Sequence, residues 1–138
     1  MTNTRAIAEP GSVRREAAGY LRFLCVDDND LIRDSICSIL IGKGWGCQTT
    51  NSGAAALHWL ATAPEPVDFI ITDHQMPEMD GLEFVGKLRA MNFTGRILVW
   101  SATVNSLEQA AYKTLNVDAI VRKSGNPELL LKAITELH

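Results

Sequence analysis

Val67-Asp68-Phe69-Ile70-Ile71-Thr72-Asp73 is the stretch whose reading decides the fold. Its apolar residues run uninterrupted from Phe69 to Ile71 and the run stops at an acid. A run of strand length bounded by breakers is the pattern of a strand buried on both faces. On its N-terminal side, Pro64 and Pro66 close a helix that Ser52 opens and that continues to about Thr62. Ala55, Leu57, Leu60 and Ala61 are that helix's residues available for burial. On the other side, Asp80 and Glu83 have the spacing of a capping pair, which predicts a helix from Gly81 to Met91. A buried strand with a helix on each side is one period of an alternating α/β chain.

The same period repeats outward in both directions. Leu21–Val26 is a second apolar run that ends in acids, Asp27 and Asp28. Asp30 can cap the following helix, whose Leu31, Ile32, Ile36, Ile39 and Leu40 recur at helical spacing. Gly42, Gly44 and Gly46 break it and lead into Cys47–Thr50, polar enough to be an edge strand. Downstream, Arg96–Ser101 is the fourth strand, and Ser106 with Gln109 predicts a capping box for a helix ending near Leu115. Asp118–Arg122 is the fifth strand, with Lys123 at its end. Asn126 as N-cap and Pro127 at the first helical position start a last helix carrying Leu129, Leu130, Ala133, Ile134 and Leu137.

Strict alternation of five strands and five helices requires parallel strands, right-handed crossovers and helices on both faces. The expected architecture is a doubly wound five-stranded parallel sheet of order 2-1-3-4-5, flavodoxin-like, because the first and third strands are the most apolar and belong in the centre. It fills residues 21–138 as one domain. Residues 1–20 lack an apolar run and read as a flexible N-terminal extension, with some helix near Val13–Ala18. A docking role for Arg5, Arg14 and Arg15 is the alternative reading.

Composition narrows the function. A formal charge of −3 gives no basic footprint for nucleic acid and no attraction to an anionic membrane. The apolar runs are far shorter than a membrane span. Cys25, Cys37 and Cys47 have no metal-type spacing and sit in apolar or strand-like stretches, as reduced thiols of a cytoplasmic protein do.

In such a sheet the site lies at the carboxyl ends of the strands. Asp27, Asp28, Asp73, Ser101 and Lys123 all fall there. Carboxylates brought together raise one another's pKa unless a cation neutralises them. All the donors are oxygen, so a hard ion is expected, and Mg²⁺ binds alongside phosphate in such settings. A carboxylate can serve as nucleophile to give an aspartyl phosphate, with a metal, a lysine and a hydroxyl balancing the phosphoryl oxygens.

The segments Leu24-Cys25-Val26-Asp27-Asp28-Asn29, Asp73-His74-Gln75-Met76-Pro77-Glu78-Met79-Asp80-Gly81, Ser101-Ala102 and Val121-Arg122-Lys123 resemble the signature blocks of response-regulator receiver domains. Their order and spacing agree, and the likeness runs from about Leu21 to His138. The resemblance implies a phosphoacceptor at Asp73, with Mg²⁺ held by Asp73, by Asp28 directly, by Asp27 through water and by the backbone carbonyl of Gln75. It implies that Ser101 and Lys123 hold the phosphoryl group, and that Pro77 and Gly81 shape the loop. A histidine kinase or phosphotransfer protein is the implied donor. The protein that receives the signal is not specified, and the fourth helix, fifth strand and fifth helix form the implied signalling face, near Leu107, Ala111, Ile120 and Leu130. The family is a signalling domain and not an enzyme, although self-phosphorylation from small donors and slow loss of phosphate are expected of it.

Two positions depart from the family pattern. The switch position, three residues before the lysine, is commonly aromatic and is Ile120 here. Ser124 follows Lys123 where proline is usual, so a trans peptide bond is expected, because a non-proline cis bond costs about 3–4 kcal/mol. Trp100 reads as core packing, Trp45 and Trp59 as packing residues, and His74 as an exposed loop histidine. Three rivals differ at named residues. A haloacid-dehalogenase-type phosphatase needs an aspartate where Gln75 stands. A flavodoxin-like cofactor binder would find Asp27, Asp28 and Asp30 repelling its phosphate. A pseudo-receiver acting as a binding module would normally lack an acid or the lysine.

Overall fold

A computed structural model describes residues 19–138. The strands are β1 (Arg22–Val26), β2 (Gly46–Thr50), β3 (Phe69–Thr72), β4 (Arg96–Ser101) and β5 (Ala119–Arg122). The helices between and after them are α1 (Asp30–Gly42), α2 (Gly53–Thr62), α3 (Gly81–Ala90), α4 (Ser106–Thr114) and α5 (Glu128–Leu137). All pairings are parallel and the order is β2-β1-β3-β4-β5, as the alternation requires. The polar strand β2 is indeed at an edge. Most of the expected N-terminal extension, residues 1–18, lies outside the described residues.

Period-two alternation along each strand divides the interior into two cores. Leu24, Val26, Ile70, Ile97 and Val99 face one side, against Ala56 of α2, Phe84, Val85 and Leu88 of α3 and Tyr112 of α4. Phe23, Cys25, Phe69, Ile71, Leu98 and Trp100 face the other, against Ile36 and Leu40 of α1 and Leu130 and Ile134 of α5. A sheet buried on both faces needs apolar residues on both sides of every central strand, which is why β3 reads as a continuous run.

The helix starts differ in detail from the sequence reading. Asn29, not Asp30, caps α1, its side chain accepting from the amides of Leu31 and Ile32. Asn105 and Glu108, not Ser106 and Gln109, form the capping box of α4. At α5 the Asn126 carboxamide accepts from Glu128 N at 2.8 Å, one residue out of the expected register, with Pro127 at the cap. Ser52 and Asp80 cap α2 and α3 as expected. Ser52→Ala should lower unfolding stability by about 1 kcal/mol, read as a shifted denaturant midpoint at unchanged slope. Gly44, at φ +86°, ends α1 in the left-handed conformation that suits glycine.

The amino-terminal ends of the strands hold both described ends of the chain. The Trp45 indole donates to the Gly19 carbonyl at 3.0 Å, and the His138 ring stands 6.3 Å from the Trp45 ring. Tyr20, expected in the extension, packs over the start of β2 at Gly46 and under the Arg22 guanidinium. The carboxyl ends, at the opposite pole, carry the acids.

Candidate functional site

Asp27 and Asp28 follow β1, Asp73 follows β3, Ser101 closes β4 and Lys123 follows β5. Parallel strands deliver all five to one edge. Asp27, Asp28 and Asp73 each place a carboxylate oxygen within 4.8 Å of the others, a group of oxygens suited to a hard cation. Asp27 is buried, and both its oxygens are engaged. Oδ1 accepts from Asn29 N at 2.9 Å and Oδ2 takes the Lys123 ammonium at 2.7 Å. The same ammonium lies 3.5 Å from Asp73 Oδ2, so the lysine bridges two acids. Asp73 Oδ1 accepts from His74 N at 2.8 Å. Asp28 is exposed and leaves its carboxylate open.

Arg33 was not foreseen as part of this edge. Its guanidinium donates to the Asp27 carbonyl at 2.6 Å and pairs with Asp30, one helical turn away on α1. Ser101 is buried, and Lys123 N donates to its carbonyl at 2.9 Å, joining the ends of β4 and β5. The Lys123 ammonium also stands 5.4 Å from the centroid of the Trp100 ring, a cation–π distance. Gln75 is an exposed residue of the loop between Asp73 and α3. Ile120 is half-buried and packs against the core on the α4 side.

Burial raises the pKa of Asp73 above the usual carboxylate range. The Lys123 charge opposes that rise, the Asp27 carboxylate adds to it, and the His74 amide and Ser101 hydroxyl oppose it. An acid whose folded pKa is raised supports folding only while protonated. That support is therefore lost as pH climbs from about 3.9 through the raised value. The metal-free Asp73→Asn chain should consequently be more stable than the native chain at pH 7, and its advantage should shrink on acidification toward pH ~4. Thermal unfolding at both pH values, in the presence of a chelator, checks this.

A profile of the response regulator receiver domain matches residues 23–135. The chain belongs to the response regulator receiver family. Among curated relatives, the response regulator MprA of Mycobacterium leprae is 32% identical over 117 residues, covering 85% of this chain and 50% of the relative. The sensor histidine kinase RcsC of Salmonella typhimurium is 29% identical over 115 residues, covering 83% of this chain and 11% of the relative. The receiver thus spans half or less of the length of these two proteins. Among solved structures, the chemotaxis protein CheY4 of Vibrio cholerae matches with TM-score 0.79 and 29% identity, over 87% of this chain and 100% of that one. TrrA of Thermotoga maritima, solved in complex with Mg²⁺ and beryllium fluoride, matches with TM-score 0.74 and 28% identity, over 86% of this chain and 99% of that one.

Within this receiver, several expectations need restating. His74 is not exposed: its ring is buried between the loop after β3 and α4. Nothing in the local sequence signals this, because the residues that enclose the ring, Glu108 and Tyr112, come from α4. Leu130 is wholly buried and belongs to the core under α5, so it cannot line a docking face. Leu107, 83% exposed, and Leu129, 52% exposed, are the large apolar side chains that α4 and α5 do present to solvent. Trp100 is core, as expected, and its indole N–H is buried with no hydrogen-bond partner among the described residues. No peptide bond among the described residues is cis, so Lys123–Ser124 is trans. Cys25, Cys37 and Cys47 form no disulfide with one another, although the register of β1 and β2 brings Cys25 Sγ to 3.7 Å from Cys47 Sγ. No helix among the described residues is long and apolar enough to cross a membrane.

Proposed function

We propose that this receiver accepts a phosphoryl group on Asp73, from a histidine kinase or phosphotransfer protein, with Mg²⁺ bound among the three acids, and so switches a protein-binding face. The observation that carries the reading is the convergence of Asp27, Asp28, Asp73 and Lys123 from three strand ends, with Lys123 reaching across to two of the acids. Of the three, Asp28 has no bond to protein among the described residues and Asp73 Oδ2 has the longer of the lysine's two contacts, at 3.5 Å, so these two are the carboxylates best placed to hold the ion directly. Asp27, with both oxygens already engaged, suits contact through water. Mg²⁺ would neutralise negative charge on the phosphoryl oxygens. The TrrA structure, which contains Mg²⁺ and beryllium fluoride, supports the same ligand chemistry here.

In this reading the carboxylate of Asp73 attacks the donor's phosphorus and forms the new O–P bond as the donor's own bond to phosphorus breaks. The Lys123 ammonium exchanges its contact with Asp73 Oδ2 for a phosphoryl oxygen, and the Ser101 hydroxyl donates to another. The output is a change of surface across α4, β5 and α5, where Leu107, Ala111 and Ile120 lie, and it is read by a protein and not by nucleic acid or membrane. Reduced thiols fit a cytoplasmic setting.

Incubation with Mg²⁺ and acetyl phosphate followed by intact-mass measurement tests the proposal. The native chain should carry one labile phosphoryl adduct and Asp73→Asn none. A folded, Mg²⁺-binding native chain that takes up no adduct would overturn phosphoacceptance and leave a binding module in its place.

A further inference from the structure

A second buried polar cluster touches the acidic edge. His74 is 3% exposed and every polar group it has is engaged. Its amide donates to Asp73 Oδ1 at 2.8 Å and its carbonyl accepts from Gly81 N at 2.7 Å. Its ring Nδ1 lies 2.5 Å from the hydroxyl of Tyr112, itself wholly buried, and its Nε2 lies 2.9 Å from Glu108 Oε2. One assignment of protons satisfies all these contacts. The Tyr112 hydroxyl donates to Nδ1, and Nε2–H donates to the Glu108 carboxylate. Burial and the charges of Asp80, Glu108 and Asp73 raise the Tyr112 pKa, which keeps that hydroxyl protonated.

Glu108 carries a second duty. Its other oxygen, Oε1, accepts from Asn105 N at 2.8 Å and so closes the capping box of α4. One carboxylate therefore holds both the histidine of the β3–α3 loop and the first turn of α4. That turn also presents Leu107, 83% exposed. Packed interiors do not absorb small shifts by compression; they pass them to the next rigid element. Ile120 has no hydroxyl with which to bond the site and remains only half-buried.

We propose that His74 is a positioning residue that transmits the state of Asp73 to the first turn of α4 through Glu108 and Tyr112. The inference rests on the reading of Asp73 as phosphoacceptor. It assigns the route of the signal: from the Asp73 carboxylate to the His74 backbone, from the ring to Glu108, and from Glu108 to the cap that sets where Leu107 stands. His74 touches neither the phosphoryl group nor the metal in this scheme, so its loss should leave loading intact and disconnect the response.

The test uses Mg²⁺ with beryllium fluoride as a stable phosphoryl mimic, ¹⁹F NMR to measure loading, and hydrogen exchange across Ser106–Thr114 to measure the response. His74→Phe removes both ring contacts. Glu108→Gln keeps an acceptor for the Asn105 amide, and Tyr112→Phe removes a single oxygen, so these two guard against a variant that fails to fold. On loading, the native chain should change its α4 exchange at least about fivefold, and the ring ¹⁵N resonances of His74 should shift. Each variant should bind the mimic within about threefold of native while its α4 change falls below about a third of the native one. A purely structural role would alter baseline exchange equally in both states and leave this difference unchanged. Variants that load and retain the native α4 difference would overturn the inference and leave phosphoacceptance standing. A native chain that loads without any change in α4 would overturn it too. A native chain that binds no mimic would instead overturn the reading of Asp73 on which it rests.

Discussion

With Mg²⁺ and acetyl phosphate, Asp28→Asn is expected to acquire its phosphoryl group at least about a hundredfold more slowly than the native chain, a barrier increase of about 2.7 kcal/mol. The reason lies in how the other two acids are occupied. Asp27 is held by the Asn29 amide and the Lys123 ammonium, and in the proposed reaction Asp73 would be shared between the incoming group and the ion. Asp28 is the carboxylate with no other commitment. Neutralising it removes a full charge from the ion's ligand set, while its exposed position keeps the effect on folding within about 0.5 kcal/mol. A time course of intact mass, alongside an unfolding curve, separates the two effects. Labelling within threefold of the native rate would place the ion away from Asp28.

Gly81→Ala should destabilise the fold by about 3 kcal/mol, at the upper end for overpacking a close-packed interior. A methyl group on Gly81 would lie on top of the Tyr112 hydroxyl, 2.7 Å from the Asp73 carbonyl and 3.0 Å from His74 Cα. Two of those three neighbours are backbone of the loop that carries the site, and the third is a wholly buried side chain. Neither kind can retreat cheaply. Combining the change with Tyr112→Phe should cost less than the sum of the two alone, because that oxygen is one of the obstacles. Denaturant unfolding of the four chains gives the coupling directly. A loss below about 1 kcal/mol for Gly81→Ala would mean that the loop yields more readily than its contacts indicate.

What could be read in advance, and what could not, divides along physical lines. The placing of Asp27, Asp28, Asp73, Ser101 and Lys123 at one edge was legible because each stands at or just past the carboxyl end of a strand, and parallel strands bring such positions together. The strand order was legible because β3 is apolar on both faces and β2 is not. The helix caps slipped by one residue at Asn29 and Asn105, where adjacent polar residues compete and only side-chain geometry decides. Leu130 was misjudged because membership of a helix at the signalling face does not say which side of that helix a residue occupies. His74 was misread for a deeper reason. Its burial depends on Tyr112, 38 residues further along, and on a glutamate that also serves a cap. Pairings of that separation leave no periodicity in the local sequence.

The position of Trp45 between Gly19 and His138 governs how this unit can be carried. Chain entering at Gly19 and chain leaving at His138 pass through the same pole, one strand length, about 17 Å, from the acids. A neighbouring module fused directly to Gly19 or His138 would emerge behind the sheet and leave the approach to Asp73 clear. The two ends lie near enough for a short linker to join them, with new termini opened in an exposed loop such as the one around Gly125. A reporter attached directly at Gly19 or His138 should be blind to loading, whereas one on α4 should follow it.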